Sequence, residues 1–588
     1  MFEFLLKTPL KNQWKKIGLK KRAGVIFPLF SVFSKKSLGI GEISDLKLAI
    51  DWSKKTGNTI LQILPINDTG FDFSPFNPQS SFALDPIYLS LWDLISIKKE
   101  NLERELKDLA EKFPLNKKYV NYQIKRAKIE KLWSIFLRRA SFPKRFENFV
   151  KRNNYWLEDY SLFRVLKEYF KEKSWEEWPE KFKNRDIKSL REFEKKNQEK
   201  IKFQKWLQWQ LFEQLRKIKI YAQEKLIFFK GDLPLFVSRD SSDCWSKRKY
   251  FKLNFSAGAP PDLFSEKGQR WGMPTYNWEE IFKDDFIYFK ERLKYAQNFY
   301  HLFRIDHLVG IFRTWSIPIE TPFKFQGKKG LFDPKDENLW IEQGRKILNL
   351  IIKSTKMLPC AEDLGTVPHF CYKILEDLGI PGIDVQRWKK DWQNFNFLKP
   401  DQYRPISVST LSTHDLNLFP IWFEEIGTVS KGIFKKKCLE KKIDFEKIRN
   451  KIFSSEKKGR LFWKNSLNKN KLIKILNRPE KEILDLIKIF KKTFKEKEKF
   501  LEMISSKKEL IKKNLILINS TNSIFCILLI FEWLFLSDIL KGRAWRINFP
   551  GKISKKNFSL RLPISLENLI NLKINNQIRE IIQKSGRI

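Results

Sequence analysis

Three short apolar or β-branched runs in this chain end on carboxylates, and they constrain the fold more than any other feature. The first is Tyr300-His301-Leu302-Phe303-Arg304-Ile305-Asp306-His307. The second is Met357-Leu358-Pro359-Cys360-Ala361-Glu362-Asp363-Leu364-Gly365, and the third runs from Ile406 through Val408 and Thr410 to His414-Asp415. Side chains alternate across a strand, so Arg304 and Asp306 face the same way. A cation beside a carboxylate keeps it ionised, which suits a nucleophile; taken alone, the pair reads equally as a structural ion pair. The chain has four histidines, and two of them, His307 and His414, adjoin the aspartates. Carboxylates at three strand ends are how a (β/α) barrel builds an active site at its C-terminal face. The expected fold class is therefore α/β, a (β/α)8 TIM barrel.

Read in order, residues 20–96 hold barrel strands one and two, at 25–33 and 59–66, with a helix over 42–56 that stops at Gly57. Residues 71–78 form a turn-rich loop after a strand end and should face the cleft. Residues 97–225 are charged, helical in spacing and almost free of glycine, and are expected as a helical insertion anchored by residues such as Trp156, Trp206 and Leu211. Residues 226–424 carry strands three to seven, the catalytic residues and a loop subdomain at 238–285, read as long loop rather than regular structure. Residues 425–513 are expected as a second, lysine-rich helical insertion, and 514–588 as barrel closure and tail, with the eighth strand at 515–518.

At 588 residues and 42% hydrophobic content the chain can bury a large core. Most of its 20 tryptophans and 52 phenylalanines are expected in that core. The formal charge of +45 is large enough to attract an anionic partner. The lysines are nevertheless dispersed, and no zinc-finger, RNP-like or basic-heptad pattern accompanies them, so they read as solvated helix faces and nucleic acid is not expected as a partner. The five cysteines have no paired spacing, which points to free thiols in a reducing, cytoplasmic setting. The first residues are too short an apolar run for a signal peptide. The apolar stretch 524–536, interrupted by Glu532, is shorter than the ~20 residues a membrane span needs and reads as a buried strand or helix.

RIDH, AEDLG and STHD, in this order, resemble the three catalytic motifs of the α-amylase clan, and most closely those of its amylomaltase branch, the 4-α-glucanotransferases or disproportionating enzymes. GVIFPLFS, LGIGE, QILPINDTG, SSFAL, GDLPLFV, GAPPD, GQRWG and RINFPG extend the resemblance from about residue 20 to about 563. It implies a cytoplasmic enzyme that cleaves an α-1,4 bond in a glucan and passes the donor part to the 4-hydroxyl of another glucan or glucose. No cofactor and no metal is implied. The alternative with the same carboxylates is an α-1,4-glucan hydrolase or a debranching-type glucanotransferase; a metal-dependent hydrolase using His301, Asp306, His307, His414 and Asp415 is a remoter rival.

Retaining glycoside chemistry needs one ionised and one protonated carboxyl. Asp306 beside Arg304 suits the first, and Glu362 after an apolar run suits the second; the resemblance gives them the same roles, nucleophile and acid/base. It assigns Asp415 to holding sugar hydroxyls and stabilising the transition state. It also implies that Arg304, His414, Gln269 and Trp271 bind the glucan, the indole packing on a sugar ring. His307 reads equally as a packed core histidine. Departures from the family pattern stand at Phe76 (usually Tyr), Asp85 (usually Asn), Met273 (usually Asn) and in the apolar Leu416-Asn417-Leu418-Phe419-Pro420 after Asp415. They are expected to bear on acceptor affinity and product size.

Overall fold

The computed structural model describes residues 2–97, 102–139, 141–261, 267–391, 396–425, 428–440, 442–457, 459–463, 507–540, 545–551 and 554–588. Eight parallel strands form its centre: β1 (Arg22–Ile26), β2 (Ile60–Gln62), β3 (Phe228–Leu233), β4 (Leu302–Ile305), β5 (Leu358–Ala361), β6 (Gly382–Val385), β7 (Ser407–Thr410) and β8 (Phe525–Leu529). Their order around the sheet is β5-β4-β3-β2-β1-β8-β7-β6. The strands are almost wholly buried, as parallel strands covered on both faces must be. The ladder is interrupted only between β5 and β6. There the Ala361 N–H donates to the Pro381 carbonyl at 2.7 Å, and the Ile383 N–H donates to Asp363 Oδ1 at 2.6 Å. Arg404 clamps the same seam, 2.6 Å from both Asp363 and Asp384.

The barrel is the one expected, with one strand reassigned. Residues 515–518 lie inside the helix Lys507–Asn519, and the eighth strand is Phe525–Leu529. An isoleucine-rich run of four residues fits either period, and only its neighbours decide. The stretch 524–536 divides into this strand and the helix Ile530–Leu534. Helix Leu46–Thr56 does end at Gly57, whose left-handed φ of 82° suits glycine.

Between β2 and β3 the helices Ile124–Leu137, Lys144–Tyr169 and Gln198–Glu224 pack beside the barrel. Three of their lysines, Lys125, Lys128 and Lys167, are buried, and the first two reach acids of the barrel's own loops. Lys125 reaches Asp68 at 2.8 Å and Asp85 at 2.9 Å, and Lys128 reaches Glu42 at 2.5 Å. Three glutamines of the longest helix hold the loop after β2 by its backbone. Gln208 both accepts from and donates to Leu84, Gln214 does the same with Ser90, and Gln210 with Ile95. Asp85 is therefore a buried ion-pair partner and is not among the residues that line the cleft.

Segment 238–285, expected as loop, contributes to a four-stranded antiparallel sheet. Phe255–Ala259 pairs with Gln269–Arg270 and with Thr314–Pro318, which pairs with Leu331–Asp333. Strands of two to five residues are too short to show a period of two. Gly258 permits the close pairing, since a Cβ there would lie 2.2 Å from the Gln269 carbonyl. Likewise 425–513 is not wholly helical. Helices Lys431–Glu440 and Phe445–Ile452 accompany a three-stranded sheet of Thr428–Ser430, Arg460–Trp463 and Phe453–Lys457, while 464–506 lie outside the described residues. Among the described residues no helix is long and apolar enough to cross a membrane.

Candidate active site

A cleft of about 1350 Å³ opens at the C-terminal ends of the strands. All seven residues expected at the site line it: Asp306, Glu362, Asp415, Arg304, His414, Gln269 and Trp271. Asp306 follows β4 directly and Glu362 follows β5 directly, so the ends of two neighbouring strands place them. Asp415 comes five residues after β7, on a turn.

Arg304 organises the centre. Its Nη1 lies 2.7 Å from Asp306 Oδ1 and 2.8 Å from Asp232 Oδ1, and its Nη2 lies 3.7 Å from Glu362 Oε2. Asp232, at the end of β3, is buried outside the cleft lining and acts through Arg304. Glu362 also accepts from the His307 N–H at 2.6 Å. Burial pushes the Glu362 carboxyl up to about 8; Arg304 opposes this, and the charges of Asp306 and Asp415 add to it. The cleft thus holds one carboxyl protonated at neutral pH beside another that faces a guanidinium.

His414 stacks on Phe76, with ring centroids 4.6 Å apart and planes 12° off parallel, and its Nε2 is 3.3 Å from Asp415 Oδ2. Phe76 also lies under the Arg304 guanidinium, 5.6 Å from ring centroid to carbon. The departure from tyrosine at this position therefore sits in the cleft, as does Met273. The Trp271 indole donates to Gln269 Oε1 at 3.0 Å and meets the edge of His307 at 4.7 Å. His307 lines the cleft rather than the core, at a left-handed φ of 44°, and burial pushes its imidazole down to about 4.

Of the apolar run after Asp415, Leu416 lines the cleft, and the rest turns inward from Leu418. Leu418 and Phe419 are buried, and the Phe419 N–H donates to Glu532, which also accepts from the Ser412 hydroxyl. One contributor was not singled out from sequence: Asn548, whose Nδ2 donates to Asp415 Oδ1 at 2.6 Å. It belongs to RINFPG, and that motif was its only signal. The metal-dependent reading fails on geometry, since His301 precedes β4 and lies at the opposite end of the strand from Asp306. Among the described residues no group of three or more His, Cys, Asp or Glu side chains is arranged to hold a metal ion.

A parallel barrel with carboxyls gathered at its C-terminal mouth, one of them pushed up to about 8, has the build of a barrel enzyme. The 4-alpha-glucanotransferase family model matches residues 27–566, and the chain belongs to that family. A 4-alpha-glucanotransferase of Chlamydia pneumoniae is 34% identical over 592 aligned residues, covering 98% of each chain. One from Chlamydia caviae is 40% identical over 71% of this chain and 78% of its own. The fold is that of the amylomaltase from Streptococcus agalactiae, solved in complex with acarbose (TM-score 0.69, 22% identity, 97% of this chain and 100% of that one). It is likewise that of the amylomaltase from Corynebacterium glutamicum (TM-score 0.71, 19% identity, 98% and 76%).

Proposed function

We propose that the chain's 4-α-glucanotransferase activity runs by double displacement with retention, Asp306 attacking the anomeric carbon and Glu362 protonating the leaving glucan oxygen. Glu362, deprotonated by that step, then takes the proton from the 4-hydroxyl of an acceptor glucan or glucose as it displaces Asp306. Asp415, held by Asn548 and His414, accepts hydrogen bonds from sugar hydroxyls, bonds that strengthen as the oxocarbenium develops. Arg304 faces Asp306 at 2.7 Å, and Trp271, Gln269 and His414 bind the glucan chain. The observation that carries this reading is Arg304 set between Asp306 and a Glu362 carboxyl pushed up to about 8, so that an acid holding its proton at neutral pH stands beside a carboxyl that faces a guanidinium.

The test is incubation with maltotriose. Glucose and a ladder of longer maltooligosaccharides are expected, with reducing ends nearly constant because each transfer makes one for each one used. A steady rise in reducing ends would instead identify the α-1,4-glucan hydrolase that the same carboxylates can support.

A further inference from the structure

The opposite mouth of the barrel carries a second cleft, of about 1040 Å³. It lies across the N-terminal ends of the strands: Arg22 opens β1, Phe228 opens β3, and Thr59, His301 and Met357 immediately precede β2, β4 and β5. Six further cations line it, namely Lys16, Lys20, Lys54, Lys219, Lys356 and Arg579, and no aspartate or glutamate does. None of the six makes an ion pair in the described residues, although elsewhere on this protein lysines and arginines pair with carboxylates at many points. The cations are close enough to oppose one another: burial and then the charge of Lys16 hold the Lys219 ammonium below its ordinary range.

The floor has donors of its own. His301 Nδ1 accepts from the Phe229 N–H at 2.9 Å, so its proton is on Nε2, and that buried Nε2 has no partner. The Arg22 guanidinium, buried and donating to the Ile17 carbonyl, lies over the half-buried Phe228 ring at 4.7 Å and adds its charge beneath the cleft. Concentrated positive charge, an unused donor and a ring in one concavity fit a compact polyanion with an organic portion. A nucleic-acid surface would instead be a convex or grooved track with cations spaced along it.

We propose that this cleft binds a small phosphorylated metabolite, its phosphate oxygens taken by Lys16, Lys219 and Lys356 and its organic part lying against Phe228. The site is separate from the glucan cleft and stands independently of the assignment of the catalytic carboxylates. Its ligand needs no divalent cation, because the lysines supply the counter-charge.

Isothermal titration of the full-length protein at physiological salt tests this, with inorganic pyrophosphate, ADP and a hexose bisphosphate as probes and sodium sulfate as the control anion. One-to-one binding of at least one phosphate probe is expected with a Kd of about 1 mM or tighter, and sulfate at least about tenfold weaker. Lys16→Ala combined with Lys356→Ala, both exposed side chains, should weaken that binding about tenfold or more while leaving the melting temperature and maltotriose disproportionation unchanged. Lys219→Gln should do the same. Equal affinity for sulfate would reduce the cleft to general anion attraction, and affinity for RNA oligonucleotides without affinity for the small phosphates would make it a nucleic-acid surface. Either outcome, no binding at all, or undiminished binding by the variants overturns the proposal.

Discussion

Glu362 shows how much chemistry one residue draws from its surroundings. With its carboxyl pushed up to about 8, the proton it would donate in the proposed mechanism is present at neutral pH and disappears as pH rises. The kcat/KM for maltotriose should therefore fall on the alkaline side with an apparent midpoint near 8. With α-maltosyl fluoride, whose leaving group needs little protonation, that limb should be absent or displaced. The same alkaline limb with both donors would move the ionisation to another residue. Trp271 makes a second prediction. Its indole faces the cleft with one hydrogen bond, to Gln269, so Trp271→Ala should leave the melting curve intact. Loss of ring packing on sugar should cost about 1 kcal/mol of transition-state binding, roughly fivefold in kcat/KM; unchanged kinetics would leave the indole a packing group. The three carboxylates were legible in the sequence because each ends an apolar run, a contrast readable one residue at a time. Asn548 was not, because it meets Asp415 across 133 residues of chain, and nothing local to it announces the meeting.

Elements differ in legibility for the same reason. A buried parallel strand is a run of apolar residues; six of the eight lie within the runs read for them, each stopping sooner, and the first begins three residues before its run and shares only Val25 and Ile26 with it. The eighth was displaced by one element, from a helix to the strand that follows it. The antiparallel sheet around Phe255–Ala259 escaped notice because pairing with distant partners, not local pattern, makes it. The turn carrying Asp415 is set by another element altogether, the helix Ile530–Leu534, through Glu532 and its bonds to Ser412 and Phe419. Burial pushes the Glu532 carboxyl up to about 7, against the hydrogen bonds from Ser412 and Phe419. The folded state thus binds this proton more tightly than the unfolded chain, whose carboxyl has the usual value near 4.5. Its contribution to stability is full below that value and is lost as pH rises through about 7. Glu532→Gln, neutral throughout, should flatten the fall in melting temperature between pH 5 and pH 8 relative to the unaltered protein, in buffers of about 0.1 M ionic strength. An identical slope in the two proteins would show that Glu532 does not titrate there.

Over the whole molecule the charge of +45 is the property most removed from the chemistry. The catalytic cleft balances its central arginine with carboxylates, and a neutral glucan has no charge to screen. Transfer rates on maltotriose should accordingly change little between low and moderate salt; a steep decline would place an anionic ligand in the glucan cleft. The internal charges are another matter. Asp68, Asp85 and Glu42 all belong to the barrel's own loops, and the cations nearest to them, Lys125 and Lys128, come from the helical insertion. A chain shortened to its barrel would lose both these lysines and the helices packed beside the three acids, leaving Asp68, Asp85 and Glu42 without these partners at the barrel's surface. The insertion is thus no detachable ornament. At position 85, where the family pattern has a neutral asparagine, the acid shares Lys125 with Asp68: exchanging the lysine alone would strand two acids, whereas exchanging Asp85 alone would leave the lysine its bond to Asp68.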